Sequence, residues 1–133
     1  MVATLRKARR IESVQGQMHQ RAESALAQLE RALAEVQRER GEVLAVLNNE
    51  AVPSFVIALA APRLRALDAQ IARLQQEVAR QRVVALDAAM RLKRAERLTG
   101  KAAAHANALR ERADLDDALE AFIARSGASF PPA

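Results

Sequence analysis

Aliphatic residues recur in alternating steps of three and four along two stretches of this chain, and one short connector lies between them. In the first stretch the series runs Leu26, Leu29, Leu33, Val36, Val43 and Leu47, with Arg40 in one core-type slot. In the second it runs Leu64, Leu67, Ile71, Leu74 and Val78. Such spacing draws a narrow apolar stripe along an α-helix, and the stripe needs a matching one to cover it. The connector, Ala51-Val52-Pro53-Ser54-Phe55, is short enough to reverse the chain at once. The expected fold is therefore all-α: a long antiparallel two-helix coiled-coil hairpin with the second helix longer. A single hairpin over 1–126 is predicted, with a helix over 3–49, a tip over 50–61, a helix over 62–126 and a flexible tail over 127–133.

Composition agrees with a thin seam and not with a globular core. Half of the 133 residues are apolar, but alanine dominates, and Phe55, Phe122 and Phe130 are the only aromatics. Alanine favours helix and permits close approach, yet it buries little area per residue. The absence of cysteine excludes disulfides, thiolate catalysis and cysteine-type zinc clusters. The basic opening (Arg6, Lys7, Arg9, Arg10) runs into Glu12, Gln15 and Gln17 instead of an apolar leader core. The most apolar run, Ala51 to Pro62, is too short for a membrane span. A cytoplasmic protein is expected, held at the inner membrane, if at all, through protein partners.

Away from the central zipper the frame weakens. Upstream, Ile11, Val14, Met18, Ala22 and Ala25 suggest a seam whose four-residue step at Met18 shifts the register, as a stutter does. In the second helix the frame continues through Gln81, Ala85, Ala88, Leu92, Ala95 and Thr99, while Leu86, Met90 and Leu98 drift to an adjoining face. It is expected to recover at Leu109, Leu115, Leu119, Phe122 and Ile123. Gly16, Gly41 and Gly100 sit within helical patterns at a cost of about 1 kcal/mol each against alanine, which suggests close packing or tolerated weakness, or a flexible joint at Thr99-Gly100. At 1.5 Å per residue the helices would span roughly 70 and 95 Å, so the second overhangs near residues 110–126. Ser54 is placed to cap a new turn, and Pro62 suits a helix start.

Nothing in the chain assembles a catalytic site. His19 and His105 are the only histidines, and a lone His19–Glu23 pair is no metal site. The serines have no nucleophile-elbow context, and four scattered glycines make no phosphate loop. Asp114, Asp116, Asp117 and Glu120 read as a solvated face. A two-helix hairpin also offers no water-excluding cleft. No cofactor, metal or small-molecule substrate is expected, and the chain reads as a non-enzyme.

Charge and tip are the informative surfaces. The net charge of +5 is concentrated in residues 51–101, which hold 10 basic against 4 acidic side chains. Arg91, Arg94, Arg97 and Lys101 share one helix side and could meet solvent, an acidic protein, nucleic acid or anionic lipid. No aromatics are interleaved for base stacking. At the tip, Ser54 to Ala61 is apolar apart from its serine, and two readings stand: it folds over the end of the coiled coil, or it docks a partner.

With these residues in view, the chain resembles the FliJ/YscO family of type III secretion proteins, small coiled-coil hairpins similar in shape to the rotary γ subunit of F-type ATPases. The likeness lies in the basic start (Thr4-Leu5-Arg6-Lys7), the apolar tip, the longer second helix and its basic segment, and in Ile57, Leu64, Leu67, Ile71 and Val78 after the turn. Two departures stand out: the tip aromatics are reduced to Phe55, and the tryptophan frequent in the family's second helix is missing. The resemblance implies a flagellar or injectisome export component, monomeric or dimeric, binding a hexameric export ATPase, the export gate and export chaperones. By position, Arg6, Arg9, Arg10, Leu119 and Phe122 would face the ATPase, and Leu44, Leu47, Phe55 and Leu59 the gate. Two alternatives of other classes are a basic helical nucleic-acid-binding protein and a generic homo-oligomeric coiled-coil adaptor.

Overall fold

The computed structural model describes residues 2–129. Two helices account for nearly all of them: α1 (Val2–Leu47, 46 residues) and α2 (Ser54–Ser129, 76 residues). No strand occurs among the described residues. The chain is an all-α helical hairpin, as the stripe pattern requires.

The turn is built from backbone geometry. α1 ends as the Asn48 amide donates to the Leu44 carbonyl (2.9 Å) and the Asn49 amide to the Val46 carbonyl (3.2 Å), tightening the last turn. Asn49 then accepts from the Ala51 amide through its side-chain Oδ1 (3.2 Å), and the Val52 amide donates to the Asn49 carbonyl (3.3 Å). Together these close the reversal. Helix α2 starts at Ser54, where the Pro53 carbonyl accepts from the amides of Val56 (3.1 Å) and Ile57 (3.5 Å).

The expected boundaries move accordingly. The tip predicted over 50–61 shrinks to residues 48–53, and the segment 54–61 is the opening of α2. Pro62 is an interior residue of that helix, not its start. One missing amide removes a single intrahelical bond, and the Ala-rich neighbourhood has enough helix propensity to run through it. Ser54 is the first helical residue, and Pro53 supplies the carbonyl that opens the ladder. At the other end the helix runs to Ser129, past the predicted stop at 126. The rest of the predicted tail, 130–133 with Phe130, lies outside the described residues.

Contacts divide the chain into two compact units: Gly16–Arg91, and Met1–Gln15 with Leu92–Ala133. In the Gly16–Arg91 unit, Ala22, Val36, Leu67, Val78 and Ala85 are buried, and Leu67 is the one large side chain with no exposed surface. Half-buried Leu26, Leu29, Leu33, Val43, Leu64, Ile71 and Leu74 fill the intervening steps. Three cross-helix contacts set the antiparallel register. Arg40 Nε donates to Asp68 Oδ1 (2.6 Å), Arg63 Nη2 to Glu39 Oε2 (2.8 Å), and Gln81 Nε2 to the Ala22 carbonyl (3.1 Å). The residue numbers in each pair add to nearly the same total, which only antiparallel pairing produces. Arg40 occupies its core-type slot as expected, lying along the seam and turning its guanidinium out to Asp68. Gln81, a polar residue in the seam, reaches a backbone carbonyl because Ala22 leaves room beside it.

The Met1–Gln15/Leu92–Ala133 unit is thinner. Ala95 is its buried residue among those described, flanked by half-buried Leu92, Thr99, Ala102, Ala106 and Leu109 on α2 and by Leu5, Ala8, Glu12 and Gln15 on α1. Thr99 satisfies its hydroxyl on the Ala95 carbonyl of its own helix (3.0 Å).

The upstream frame of α1 is corrected. The inward positions are Leu5, Ala8, Glu12, Gln15, His19 and Ala22, which continue the zipper without a stutter. Ile11 (43% exposed), Val14 (49%) and Met18 (44%) lie beside the seam, not in it. The larger Leu26–Leu47 zipper sets the phase of α1, and the fixed period of an unbroken helix extends that phase upstream whatever residues occupy it. At Gly41 and Gly100 tolerated weakness, not close packing, is what the geometry fits. A β-carbon added at Gly41 or Gly100 would meet nothing within 4 Å, and neither has positive φ, so neither permits a close approach. Helix α2 runs unbroken through Thr99-Gly100.

Candidate protein-interaction surfaces

Three groups of exposed apolar side chains stand out among the described residues. At the turn, α2 opens on Phe55 (66% exposed) and Leu59 (72%), one helical turn apart on one face, with Ile57 half exposed. Because 54–61 is the opening of α2, the segment does not fold back over the end of the hairpin. Leu44 and Leu47, grouped with them by sequence, are half-buried on the seam side of α1. Only Phe55 and Leu59 present most of their surface. Beside the turn, Glu39, Glu42, Val43, Val46 and Arg63 line an open hollow of about 290 Å³. Arg63 and Glu39, joined by an ion pair, both belong to its lining.

The second place is the end of α2. Every residue from 110 to 125 is exposed, including Leu115 (60%), Leu119 (51%), Phe122 (60%) and Ile123 (65%). The recovery of the seam expected there stops at Leu109. Leu115 and Leu119 stand a turn apart, and Phe122 follows three residues later on the same side. Leu119 and Phe122, expected at a partner face, are thus open. On α1 of the same unit Arg6, Arg9 and Arg10 are also exposed, and Arg10 borders a shallow hollow of about 230 Å³ with Ile11, Val14 and Gln15.

A third group, on α2, went unsingled in sequence: Val83 (68%) and Val84 (52%), which join Leu86 (63%) and Met90 (52%) on the outer side of the Gly16–Arg91 unit. The signal was available, since these positions fall between the seam steps, but a β-branched pair in a helix reads as seam until the phase is fixed.

The four basic residues are not equivalent. Arg91 pairs with Asp87 one turn earlier (3.1 Å). Arg94, Arg97 and Lys101 are exposed and make no ion pair within 4 Å among the described residues. An exposed pair of the Arg91 type contributes at most about 1 kcal/mol and releases readily. Elsewhere Arg38 bonds Glu35, whose hydrogen bond and charge raise the already high guanidinium pKa.

His19 is half-buried in the seam with Nδ1 unpartnered, and Gln15 Oε1 is likewise unpartnered. His105 is exposed. Among the described residues, no three His, Cys, Asp or Glu side chains stand close enough to hold a metal ion. No helix among them is long and apolar enough to cross a membrane. Comparison with family models, curated proteins and solved structures found no match for this chain.

Proposed function

We propose that this chain is a non-catalytic coiled-coil coupling component of a flagellar or type III protein export apparatus, acting in the cytoplasm by binding protein partners along its helices. The observation that carries the reading is the exposed segment 110–125, where Leu115, Leu119, Phe122 and Ile123 project from a helix that α1 does not cover. Apolar side chains in that pattern are a helix-in-groove or helix-on-helix docking surface. The basic opening of α1 and the end of α2 bind the hexameric export ATPase. Phe55 and Leu59 bind the export gate, and the flanks take export chaperones.

Pull-down with the hexameric export ATPase tests the assignment of surfaces. Binding survives Phe55→Ala and weakens on removal of residues 1–12 or 110–133. Full binding after both terminal deletions rejects it.

One observation favours a second reading. Arg94, Arg97 and Lys101, exposed and in no ion pair among the described residues, are suited to phosphates, as in a helical nucleic-acid-binding protein. That reading requires affinity for a nucleic-acid duplex that falls steeply with salt and collapses in Arg94→Glu/Arg97→Glu. Binding indifferent to salt removes it.

A further inference from the structure

The exposed end of α2 carries a self-complementary pattern. Beyond the seam, a second heptad stripe runs through Ala108, Arg112, Leu115, Leu119 and Phe122 in the same alternating steps, and all five are exposed. The flanking positions that decide pairing direction hold Glu111, Ala118 and Arg125: one acid and one base, each a single heptad from Ala118. Neither Glu111 nor Arg125 makes an ion pair within the described chain.

From this symmetry we propose that the 110–125 segment docks a second copy of itself, antiparallel, about a two-fold axis at Ala118. In that register Glu111 of each copy faces Arg125 of the other. Leu115 lies against the second copy's Leu119, Phe122 covers its Arg112, and Ile123 lies beside its Leu109. A parallel pairing instead sets Glu111 against the second copy's Asp116, and like charges there oppose it. Ala118, at the axis, lets the two backbones approach. An isologous contact of this kind closes on itself and makes a dimer, not a filament. One contact is unfavourable: Asp116 faces its own copy near the axis, which makes the association weak and reversible.

The inference stands on the charge and apolar pattern and does not need the export reading. Since Leu119 and Phe122 serve both surfaces, a second copy and the ATPase compete for them. The dimer hides the face that the monomer offers.

Sedimentation of the full chain over a range of concentrations tests the proposal. A monomer–dimer equilibrium is expected. Glu111→Arg and Arg125→Glu each weaken it about tenfold, since two symmetry-related pairs turn repulsive, and the double substitution restores it. Asp116→Asn tightens it. The chain has no native cysteine, so a mixture of Glu111→Cys and Arg125→Cys chains, treated with a short bis-maleimide, is expected to cross-link between the two variants. A mass that stays monomeric at all concentrations overturns the proposal. So does a dimer that ignores the charge swaps, or one in which Glu111→Cys cross-links to itself. ATPase pull-down is read separately, so the dimer and the export reading fail independently.

Discussion

Leu67→Ala is the sharpest test of the zipper, because among the described residues Leu67 is the one large side chain with no exposed surface. Truncating a buried leucine removes its transfer free energy and adds the cost of whatever cavity persists, together about 2–5 kcal/mol. The seam is only two helices thick, and its neighbours Leu64 and Ile71 are half-buried. Water and flanking side chains can partly fill the gap, which places the expected loss near the lower end, about 2–3 kcal/mol. Leu59→Ala is the matched control, made in the same helix with the same chemical change. Leu59 is 72% exposed, so its loss is expected to stay below about 0.5 kcal/mol. Urea unfolding of both variants, followed by far-ultraviolet circular dichroism, reads the difference. With an m-value of about 1–3 kcal/mol per molar, the midpoint of Leu67→Ala falls by roughly 1 M while that of Leu59→Ala barely moves. Equal midpoints in the two variants would refute the placement of Leu67 at the centre of the α1–α2 seam.

The glycine geometry predicts stabilisation. Gly41→Ala and Gly100→Ala are each expected to raise stability by about 0.8–1 kcal/mol, additively, since an added β-carbon meets open space; a loss in urea unfolding at Gly100 would instead mark a required joint. Arg40→Leu is expected to gain about 1 kcal/mol by placing an apolar side chain in a seam slot whose ion pair with Asp68 is solvent-exposed, with thermal melting as the readout. Gln15→Leu removes a buried, unpartnered oxygen from the seam and is expected to stabilise by about 1–2 kcal/mol in the same assay. If Gln15 faced solvent, that substitution would leave the melting temperature unchanged.

Much of the fold was legible from the order of residues because the zipper is local and periodic. The steps from Leu64 to Thr99 land on buried or half-buried positions one after another. Arg40 was placed in its slot, and Leu86, Met90 and Leu98 were placed outside it. What misled was reading apolarity as inwardness where the stripe is weak. Ile11, Val14 and Met18 are more apolar than Glu12, Gln15 and His19, yet the phase inherited from the strong zipper turns the polar set inward. Likewise, Pro62 looked like a helix start, although one absent amide weakens a helix without ending it.

The candidate surfaces divide the same way. That Phe55, Leu59, Leu119 and Phe122 are apolar and sit near the turn or the end of the longer helix is evident from their order. That Leu44 and Leu47 are half withdrawn, and that Arg91 is paired while Arg94, Arg97 and Lys101 are not, depends on side-chain placement.

By itself, the amino-acid sequence determined the helical class, the reversal and the antiparallel pairing, because a heptad stripe has a fixed period and one short connector permits one direction of return. Only the tertiary structure decided which face of α1 is inward before Ala22 and where the seam stops on α2. Both depend on how far one helix's phase is carried by its partner, a property of the pair that no single stretch of residues holds.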